Sequence, residues 1–577
     1  MSKKRNKQIH IKWGEFFNIY KGLKLPWLIF GIMIFFGFAY GWAVVKQAGL
    51  EQGFMSGGVL TTDVIVQYLI ISLASMLIMF MQQYVRDGLC VEHINREMRK
   101  KLWGNLIRMP IKYYDKETPE ALVSRITRDC EKANSLIVEI VGWIAQLATL
   151  VMALSALFGY SNKLLMLTGL AIIAVVIYGL AISKVSYWAN YMMQTYMSPF
   201  TMYLAQRLKA FELIKASGTE DEEFERGQRV INDMYKADIA SRIELGVIAT
   251  YVNLTSIANT VIVYIGGSIM MAKGILDAGV LVAYYSLAST AMNEIMMYFQ
   301  AYVNIKGSQG GLAKVVRIID AESEDVDSGE HIDIPDDDIA FEGVDFAYPD
   351  GANVLNNVSF TIPKGKTTAI VGSNGEGKTT VLKLLERYYD PGEGRVMFGG
   401  RNANEFSKRE WRQMFGYTSQ DSQILSGTVR DNITYGLKRY VSEEELDSIA
   451  EKANLKDLIH SLPDGYDTFI DDGGSNFSSG ELQRLNIART IAKNPEYMLL
   501  DESTCNLDPD TEIEVQGALE KMMKGRTIVI IAHSYNAIKG ADNVIVLEGG
   551  TVTCQGTQKE VEERNGFFRE FVDSSAI

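Results

Sequence analysis

The stretch Ile-Val-Gly-Ser-Asn-Gly-Glu-Gly-Lys-Thr-Thr, residues 370–380, decides the fold of the second half of this chain. It fits the pattern G-x-x-x-x-G-K-[ST] and follows an apolar run, residues 368–371, that predicts a short buried strand. The apolar spacing Val381-x-x-Leu384-Leu385 then predicts a helix. In such a strand, turn and helix, the glycines let backbone N–H groups surround phosphate oxygens, and the positive end of the helix faces the anion.

The side chains that follow the glycines complete a predicted nucleotide site. We expect Lys378 to reach the β and γ phosphates of ATP, and the hydroxyl of Thr379 to bind Mg²⁺. The residues predicted to hold the nucleotide here are Gly372, Ser373, Asn374, Gly375, Glu376, Gly377, Lys378, Thr379 and Thr380. The alternative is a glycine-rich turn that binds nothing, but the strand before the turn and the helix after it favour the nucleotide site.

The composition of the chain averages two unlike halves. Of its 577 residues, 47% are hydrophobic and 22% are charged, yet residues 25–305 contain long apolar runs while residues 340–577 alternate short apolar and charged segments. The four cysteines are widely spaced without a C-x-x-C pair, which argues against a disulfide framework or a zinc site. The net charge of −13 indicates no particular partner. The second half has no basic patch of the size that nucleic acid needs, so no nucleic-acid partner is expected.

Six segments are apolar enough and long enough to span a bilayer, which takes about 20 residues in a helix. They are residues 25–45, 59–85, 135–158, 164–183, 245–271 and 276–303. The first run is longer than the apolar core of a cleaved signal peptide, so we expect it to remain as a span. The sequence therefore predicts a multi-pass membrane domain.

The charges between the spans predict their orientation. The loop between the second and third spans is rich in arginine and lysine, whereas the short outer loops carry one lysine each, Lys46, Lys163 and Lys273. Basic loops stay on the cytoplasmic side of a membrane. We therefore expect a protein of the cytoplasmic membrane, with both termini and the ATPase half in the cytoplasm.

Two basic loops have a composition that favours helix, residues 86–111 and 184–208. Each is expected to extend its membrane helix into the cytoplasm by about 35–40 Å. The alternative is a pair of amphipathic helices lying on the membrane surface. The predicted domain boundaries are 1–320 for the transmembrane domain, 321–338 for an acidic linker, and 339–577 for the nucleotide-binding ATPase domain.

Polar side chains inside the spans are the only indication of a transported molecule. Glu139 in the third span and Glu294 in the sixth would be costly against lipid, so they are expected to face the bundle or a wet cavity. Our hypothesis is that both line a route for a cationic or polar substrate. The alternative is that they lie near the interface or make hydrogen bonds between helices.

A second acidic motif follows the phosphate loop. The apolar run Tyr497-Met-Leu-Leu predicts a strand, and it ends in Asp501 and Glu502. Ligands bind at the carboxyl ends of strands in such α/β folds. Asp501 is therefore expected to bind Mg²⁺, and Glu502 to orient or deprotonate the water that attacks the terminal phosphate.

Further short motifs appear in a fixed order along the chain. They are Asp345-Phe346-Ala347-Tyr348, Tyr417-Thr418-Ser419-Gln420, Phe477-Ser478-Ser479-Gly480-Glu481, Leu507-Asp508 and Ile531-Ala532-His533. With the phosphate loop and the six spans, they resemble the half-transporters of the ATP-binding cassette (ABC) exporter family over nearly the whole chain. In the first half, Tyr113-Tyr114-Asp115 and residues 124–129 are similar to the first cytoplasmic loop of these exporters.

This resemblance implies roles for the matching residues. Tyr348 would stack on adenine, Gln420 would touch Mg²⁺ and the attacking water, and His533 would contact the γ-phosphate. Ser478, Gly480 and Glu481 would belong to the signature that contacts the nucleotide of the other subunit, and Asp508 to the loop after the acidic motif. The catalytic residues implied are Glu502, His533, Gln420 and Lys378, and the magnesium ligands Thr379, Gln420 and Asp501. Coupling helices would lie near residues 113–121 and 195–208.

Two motifs depart from the family pattern. The usual signature is Leu-Ser-Gly-Gly-Gln, whereas this chain has Phe477, Ser479 and Glu481 at the first, third and fifth positions. Ser478 and Glu481 also form the sequence of a helix capping box, which stiffens the helix but brings negative charge near a phosphate. A homodimer and a heterodimer with a second half-transporter both remain open. Glu376, unusual in a phosphate loop, must point away from the nucleotide.

The sequence predicts a multi-domain protein, in which an all-α six-helix transmembrane bundle with long cytoplasmic extensions precedes an α/β P-loop ATPase domain. Its expected function is ATP-driven export of a peptide, lipid or hydrophobic drug by alternating access, with a peptide slightly favoured. The expected partners are a second half-transporter, membrane lipids and the exported molecule. The alternatives are a lipid flippase, and an ATP-gated channel or regulatory membrane protein with the same fold.

Overall fold

The computed structural model divides into two compact units. One consists of Met1–Met109 and Glu117–Glu322, and the other of Pro110–Lys116 and Ser323–Ile577. We call them the membrane unit and the nucleotide unit. The structure describes residues 19–56, 61–117, 119–333, 337–349, 351, 353–418, 423–501, 514–515, 517–519, 523, 525–531 and 535–574.

Long helices make up the membrane unit. The α-helices are α1 (Trp27–Met55), α2 (Thr62–Tyr84), α3 (Glu92–Ile107), α4 (Pro119–Ser124), α5 (Cys130–Tyr160), α6 (Asn162–Lys209), α7 (Phe211–Ser217), α8 (Glu220–Thr260), α9 (Gly267–Ala272) and α10 (Ala278–Ile319). Three π-helical stretches join consecutive helices: Val85–Val91, Arg125–Asp129 and Val261–Gly266. The helical extensions predicted after the second and fourth spans are thus continuous with their membrane helices.

Four helical stretches of the described chain are long and apolar enough to cross a membrane: Trp27–Met55, Thr62–Ile107, Ala121–Tyr160 and Glu220–Ala272. These stretches contain most of the first and second predicted spans and all of the third and fifth. The fourth predicted span lies within α6, and the sixth lies in α10 apart from its first two residues. The total of six spans therefore remains a prediction. None of the residues of α2 is buried, and Leu69 and Ile70 are 60% and 61% exposed. Side chains this apolar at the surface of a helix are suited to lipid rather than water.

Helix α6 has 48 residues and therefore a length of about 72 Å, more than twice the hydrocarbon thickness of a bilayer. Pro199 lies within it, and the helix ends only at Lys209. The sequence-based expectation of a coupling helix near residues 195–208 is therefore wrong in position, because those residues continue α6. The short helix at the turn is α7, followed by Gly218 with φ of 62°, a left-handed conformation that favours glycine.

The other predicted coupling segment forms two short helices, a 3₁₀ helix over Ile111–Lys116 and then α4. The first of these is grouped with the nucleotide unit. Ile111 packs against a hydrophobic core of that unit, and the hydroxyl of Tyr389 donates a hydrogen bond to the Asp115 carboxylate. A helical segment thus lies where the resemblance to exporters placed it.

Two sheets organise the nucleotide unit. One has the order β2-β1-β4-β5 and is antiparallel, and the other has the order β12-β11-β3-β10-β9-β6 with only β12 antiparallel; β7 and β8 form a separate pair. The strands are β1 (Ile339–Ala347), β2 (Asn353–Ile362), β3 (Thr367–Val371), β4 (Glu393–Phe398), β5 (Arg401–Asn402), β6 (Phe415–Thr418), β7 (Gly427–Thr428), β8 (Phe469–Ile470), β9 (Tyr497–Asp501), β10 (Thr527–Ile531), β11 (Asn543–Glu548) and β12 (Thr551–Gly556). The helices are α11 (Lys378–Leu385), α12 (Lys408–Met414), α13 (Val429–Ile433), α14 (Glu443–Lys452), α15 (Lys456–Ser461), α16 (Ser479–Lys493), α17 (Gln558–Arg564) and α18 (Gly566–Ser574).

The six-stranded sheet lies between two hydrophobic cores. Ala369 and Val371 face one core, and Ile370 between them faces the other, as the two-residue period of a strand requires. Every residue of β9 and β10 is buried. Parallel strands covered on both faces are largely apolar, which makes them recognisable in the sequence.

Helices α1 and α5 pack closely through small residues. The Thr149 hydroxyl donates a hydrogen bond of 3.1 Å to the Gly37 carbonyl oxygen, and a Cβ placed on Gly37 would collide with the backbone of Ala145. Without a strong hydrophobic drive between helices in lipid, close backbone approach of this kind stabilises the bundle.

Replacing Gly37 by alanine should therefore lower the thermal midpoint of the full chain in detergent, because overpacking typically costs about 1–3 kcal/mol. Gly31→Ala on the same helix is the matched control, since a Cβ there has no neighbour within 4 Å. Thermal unfolding of both purified variants checks this. Equal midpoints for the two would contradict the described packing.

Candidate nucleotide site and membrane cavity

The phosphate loop has a backbone that only glycine suits. Gly375 and Gly377 have φ of 89° and 95°. A Cβ on Gly377 would also lie 2.7 Å from Leu355, and one on Gly372 would collide with the Leu547 carbonyl oxygen. Because side chains are excluded here, the loop can curl tightly between β3 and α11, as the sequence predicts.

Lys378, the first residue of α11, folds back over this loop. Its side chain is 6% exposed, and its ammonium donates hydrogen bonds to the carbonyl oxygens of Gly372 (2.7 Å) and Ser373 (2.9 Å). A buried ammonium at the start of a helix is suited to an anion lying against the same loop. The neighbouring Thr379 is exposed, so its hydroxyl is open to a ligand.

The structure brings Tyr348, distant in sequence, to the same helix. The hydroxyls of Tyr348 and Thr380 are 3.1 Å apart. The ring meets Phe346 and Tyr389 edge-on, with centroid distances of 5.0 and 5.3 Å, and the Lys383 ammonium is 5.4 Å from its centroid. These contacts hold an aromatic ring beside the loop, a suitable surface for a base.

Asp501 lies at the same edge of the sheet as the loop. In the ladder, Ile531 of the intervening β10 pairs with Ile370 on one side and with Asp501 on the other. The carboxylate is only 6% exposed. Oxygen ligands at this edge, the Asp501 carboxylate and the Thr379 hydroxyl, are those that Mg²⁺ prefers, so the donor set fits the ion.

Tyr417 is a residue of the site that the sequence analysis did not single out. Its hydroxyl donates a hydrogen bond of 3.4 Å to the Asp501 carboxylate. Burial raises the pKa of the Tyr417 hydroxyl well above its usual value, and the negative charge of Asp501 adds to this. The hydroxyl therefore stays protonated and remains a donor. Its place in the same motif as Gln420 was the only signal in the sequence.

Glu376 points away from the loop's interior, as expected. Its carboxylate accepts a hydrogen bond of 3.1 Å from the Gly550 amide, in the turn between β11 and β12. The same turn contacts β2, because the backbone amide of Asn356 donates a hydrogen bond of 2.8 Å to the carbonyl oxygen of Gly550. The unusual acid thus ties the loop to the adjacent sheet.

The predicted capping box is present at the start of α16. The Ser478 amide donates to the Glu481 carboxylate at 2.7 Å, and the Glu481 amide donates to the Ser478 hydroxyl at 3.3 Å. Ser478 is exposed and Glu481 is half-buried, whereas Gly480 is buried. In this geometry the Glu481 carboxylate lies against the Ser478 amide at the start of the helix, where an anion would otherwise bind.

Comparison with known families decides the identity of the fold. Residues 355–505 match the model of the ABC transporter, and residues 27–295 match that of the ABC transporter transmembrane region. The chain belongs to the ABC transporter family. The match covers both units, so this ABC transporter carries its membrane part and its ATP-hydrolysing part on one chain.

The relatives of this ABC transporter carry names that describe different functions. The uncharacterized ABC transporter ATP-binding protein YfiC of Bacillus subtilis (strain 168) is 32% identical over 83% of this chain and 79% of its own. An ATP-dependent lipid A-core flippase of Haemophilus influenzae (strain 86-028NP) is 30% identical, over 82% and 81%. A multidrug resistance ABC transporter ATP-binding and permease protein of Lactococcus lactis subsp. cremoris (strain MG1363) is 26% identical, over 84% and 82%.

A solved structure confirms the exporter fold. A bacterial Atm1-family ABC exporter with ATP bound superposes with a TM-score of 0.81 at 25% identity, covering 95% of this chain and 97% of the exporter. The predicted fold class and the reading of the chain as an ATP-driven exporter are therefore confirmed. Gln420, Glu502, Asp508 and His533 lie outside the described residues, so their predicted roles stay predictions.

The two acids predicted in the membrane unit have different surroundings. The Glu139 carboxylate accepts a hydrogen bond of 3.2 Å from the Asn304 amide on α10, and Gln300 donates to Asn304 at 3.3 Å. This is the interhelical bonding that the sequence analysis gave as the alternative. Glu294 is half-buried and lies within electrostatic reach of the hydroxyls of Tyr40 and Tyr298.

An aromatic cavity lies against the part of α10 that carries Glu294, and the charge of Glu294 acts on the hydroxyl of Tyr298 in the cavity lining. The cavity has a volume of about 360 Å³ and is lined by Trp143, Leu180, Ile295, Tyr298, Phe299 and Tyr302. The Tyr298 hydroxyl donates to the Trp143 carbonyl oxygen at 2.7 Å, and the two rings are 5.8 Å apart. A second cavity of about 170 Å³ shares Phe299 and includes Met296 and Met297.

The capping box allows a local test. Ser478→Ala removes the acceptor at the start of α16 and should cost about 1 kcal/mol, or roughly fivefold faster amide exchange in the first turn of this helix. Hydrogen exchange followed by mass spectrometry measures this. Thr557→Ala in the capping box of α17 is the control and should leave α16 unchanged. Unchanged exchange in Ser478→Ala would show that the cap contributes nothing.

Proposed function

We propose that this ABC transporter pairs with a second half-transporter and exports a hydrophobic, positively charged molecule across the cytoplasmic membrane. The observation that supports this substrate class is the aromatic cavity against the part of α10 that carries Glu294. Aromatic rings bind apolar bodies and attract cations through their faces. A half-buried carboxylate next to them complements a positive charge in an apolar site.

The proposed chemistry is hydrolysis of ATP held between the phosphate loop of one subunit and the signature of the other. Lys378, Gln420 and His533 would bind the γ-phosphate, and Tyr348 would stack on adenine. Glu502 directly follows Asp501, the last residue of β9, and would take a proton from the attacking water. Loss of the γ-phosphate would then separate the subunits.

We also propose a magnesium site in this chain. Thr379, Gln420 and Asp501 would hold the ion, with Tyr417 fixing the Asp501 carboxylate. When bound, Mg²⁺ neutralises phosphate charge and makes the γ-phosphorus easier to attack. Every other contribution comes from the chain, namely the loop amides, the Lys378 ammonium and the Glu502 carboxylate.

Whether the partner is a second copy or a different half-transporter depends on Glu481. Its carboxylate would face the phosphates bound by the partner, which weakens that site by repulsion. Ser478 and Gly480, whose hydroxyl and amide are the phosphate-contacting groups of the signature, are retained. Both a homodimer with two weakened sites and a heterodimer with one are consistent with these residues.

The variant Glu502→Gln should bind ATP but abolish turnover, because the amide cannot accept the proton of the attacking water. The measurements are steady-state hydrolysis and the number of nucleotides trapped per dimer after rapid gel filtration. Two trapped nucleotides per dimer indicate that a site with Glu481 still closes, in a homodimer or in a heterodimer. One per heterodimer, or none per homodimer, indicates that it does not. Full hydrolysis by the variant would contradict the role of Glu502.

The substrate class is tested with tetraphenylphosphonium in proteoliposomes. Glu294→Gln should reduce its transport and its stimulation of ATP hydrolysis by about tenfold or more, since one charge pair in an apolar site is lost. Glu139→Gln is the matched control, because glutamine can still accept the hydrogen bond from Asn304. Unchanged transport in Glu294→Gln would exclude this acid from the route.

A lipid flippase is the second candidate, favoured by the apolar surface of α2, in which no residue is buried, and by the flippases among the relatives. A flippase needs a surface along which lipid enters from the bilayer. Translocation of a fluorescent phospholipid by the purified protein, without transport of tetraphenylphosphonium, would support this function over the first.

A further inference from the structure

The acidic linker is fastened to α12 of the nucleotide unit by side chains of opposite charge. Its backbone pairs with the segment before α12, where the Glu330 amide donates to Glu405 and the Ser407 amide donates to Glu330. The ion pairs between linker and α12 are Glu324 with Lys408 and Arg412, Asp327 with Arg409, and His331 with Glu410. The acidic linker, which has no apolar periodicity, is thus held by charge and by backbone hydrogen bonds, together with the burial of Ile332 in a hydrophobic core.

The pair of Glu324 and Arg412 is largely enclosed. The Arg412 guanidinium donates two hydrogen bonds to the Glu324 carboxylate, of 2.9 and 2.7 Å, and their side chains are 26% and 14% exposed. Burial opposes ionisation of Glu324, but hydrogen bonding and charge from Arg412, aided by Lys408, lower the pKa of its carboxyl below the usual value. Glu324 is therefore ionised at neutral pH, and the pair is a bidentate ion pair.

Arg412 also binds the end of the helix that begins at the phosphate loop. Its Nε donates to the Glu386 carbonyl oxygen at 3.0 Å, and its Nη2 donates to the Arg387 carbonyl oxygen at 2.9 Å. Its guanidinium lies 5.2 Å from the centre of the Tyr388 ring. These residues directly follow α11, so a cation caps the negative end of the helix whose positive end faces the nucleotide.

We propose that Arg412 is a positioning residue for ATP binding, which fixes the carboxyl end of α11 and is itself oriented by Glu324 of the linker. Helix α11 has eight residues and a length of about 12 Å, short enough to act as a stiff rod. Holding its far end therefore sets the direction of its first turn, where Lys378 and Thr379 meet the phosphates. Glu324 lies five residues after Ile319, the last residue of α10. The linker therefore contacts Arg412 within its first few residues.

A purely structural clip is the competing explanation, and the chain offers a matched control for it. Arg409 and Asp327 form another bidentate pair between the same helix and the same linker, at 2.6 and 3.1 Å. Within the described part of the chain, the Arg409 side chain donates hydrogen bonds to Asp327 alone. Loss of this pair removes a linker contact without touching α11.

The experiment compares Arg412→Lys, Glu324→Gln and their double variant with Arg409→Lys and Asp327→Asn, all in the full chain with its natural partner. The readouts are KM and kcat for ATP hydrolysis, displacement of a fluorescent ATP analogue and the thermal midpoint. Lysine keeps the charge but loses the planar fork that reaches a carboxylate and two carbonyl oxygens together. None of these readouts requires the transported molecule, so the test does not depend on the proposed substrate.

We expect Arg412→Lys and Glu324→Gln each to raise KM and weaken binding of the analogue by about threefold to tenfold, with a smaller change in kcat. The double variant should be no worse than Arg412→Lys, because both residues act through one contact. The control pair should leave KM unchanged. Equal KM values in all variants, or KM changes in the control pair as large as those in Arg412→Lys, would overturn the proposal.

Discussion

The nucleotide unit depends on one backbone constraint, the tight turn between β3 and α11. Gly375 and Gly377 have left-handed conformations, and a Cβ on Gly377 or Gly372 would come too close to Leu355 or to the backbone of β11, so the chain turns tightly and Lys378 folds back over the loop. Changing any of these glycines to a larger residue would separate the strand from the helix that supplies the positive end of its dipole. The rest of the site is arranged around this point.

Sheet register then decides which other groups reach that point. Because β10 lies between β3 and β9, the last residues of all three strands end at one edge, and Asp501 arrives there from more than a hundred residues away. Aromatic packing brings Tyr348 from β1 to the same helix. A parallel sheet thus assembles a phosphate site from segments that share no local sequence pattern.

The membrane unit follows a different physical rule. Its helices are apolar on exposed faces, as in α2, and pack through small residues such as Gly37, because lipid rather than water is their solvent. The two acids that the sequence places inside its spans differ in surroundings, because Glu139 makes an interhelical hydrogen bond whereas Glu294 acts on Tyr298 in the lining of an aromatic cavity. Two glutamates of the same chemistry therefore have different surroundings in the fold.

The sequence by itself determined the division into two halves, the strand, turn and helix at residues 370–380, the helical extensions and the capping box at Ser478, because each follows from local periodicity or short-range hydrogen bonding. The resemblance to exporters placed a coupling helix too early, near residues 195–208, because those residues continue α6 as far as Lys209. Only the tertiary structure revealed Tyr417 beside Asp501, the difference between Glu139 and Glu294, and Arg412 joining the linker to α11. Such contacts join residues far apart in the chain, and strand order and helix packing, rather than any pattern within one segment, decide which of them meet.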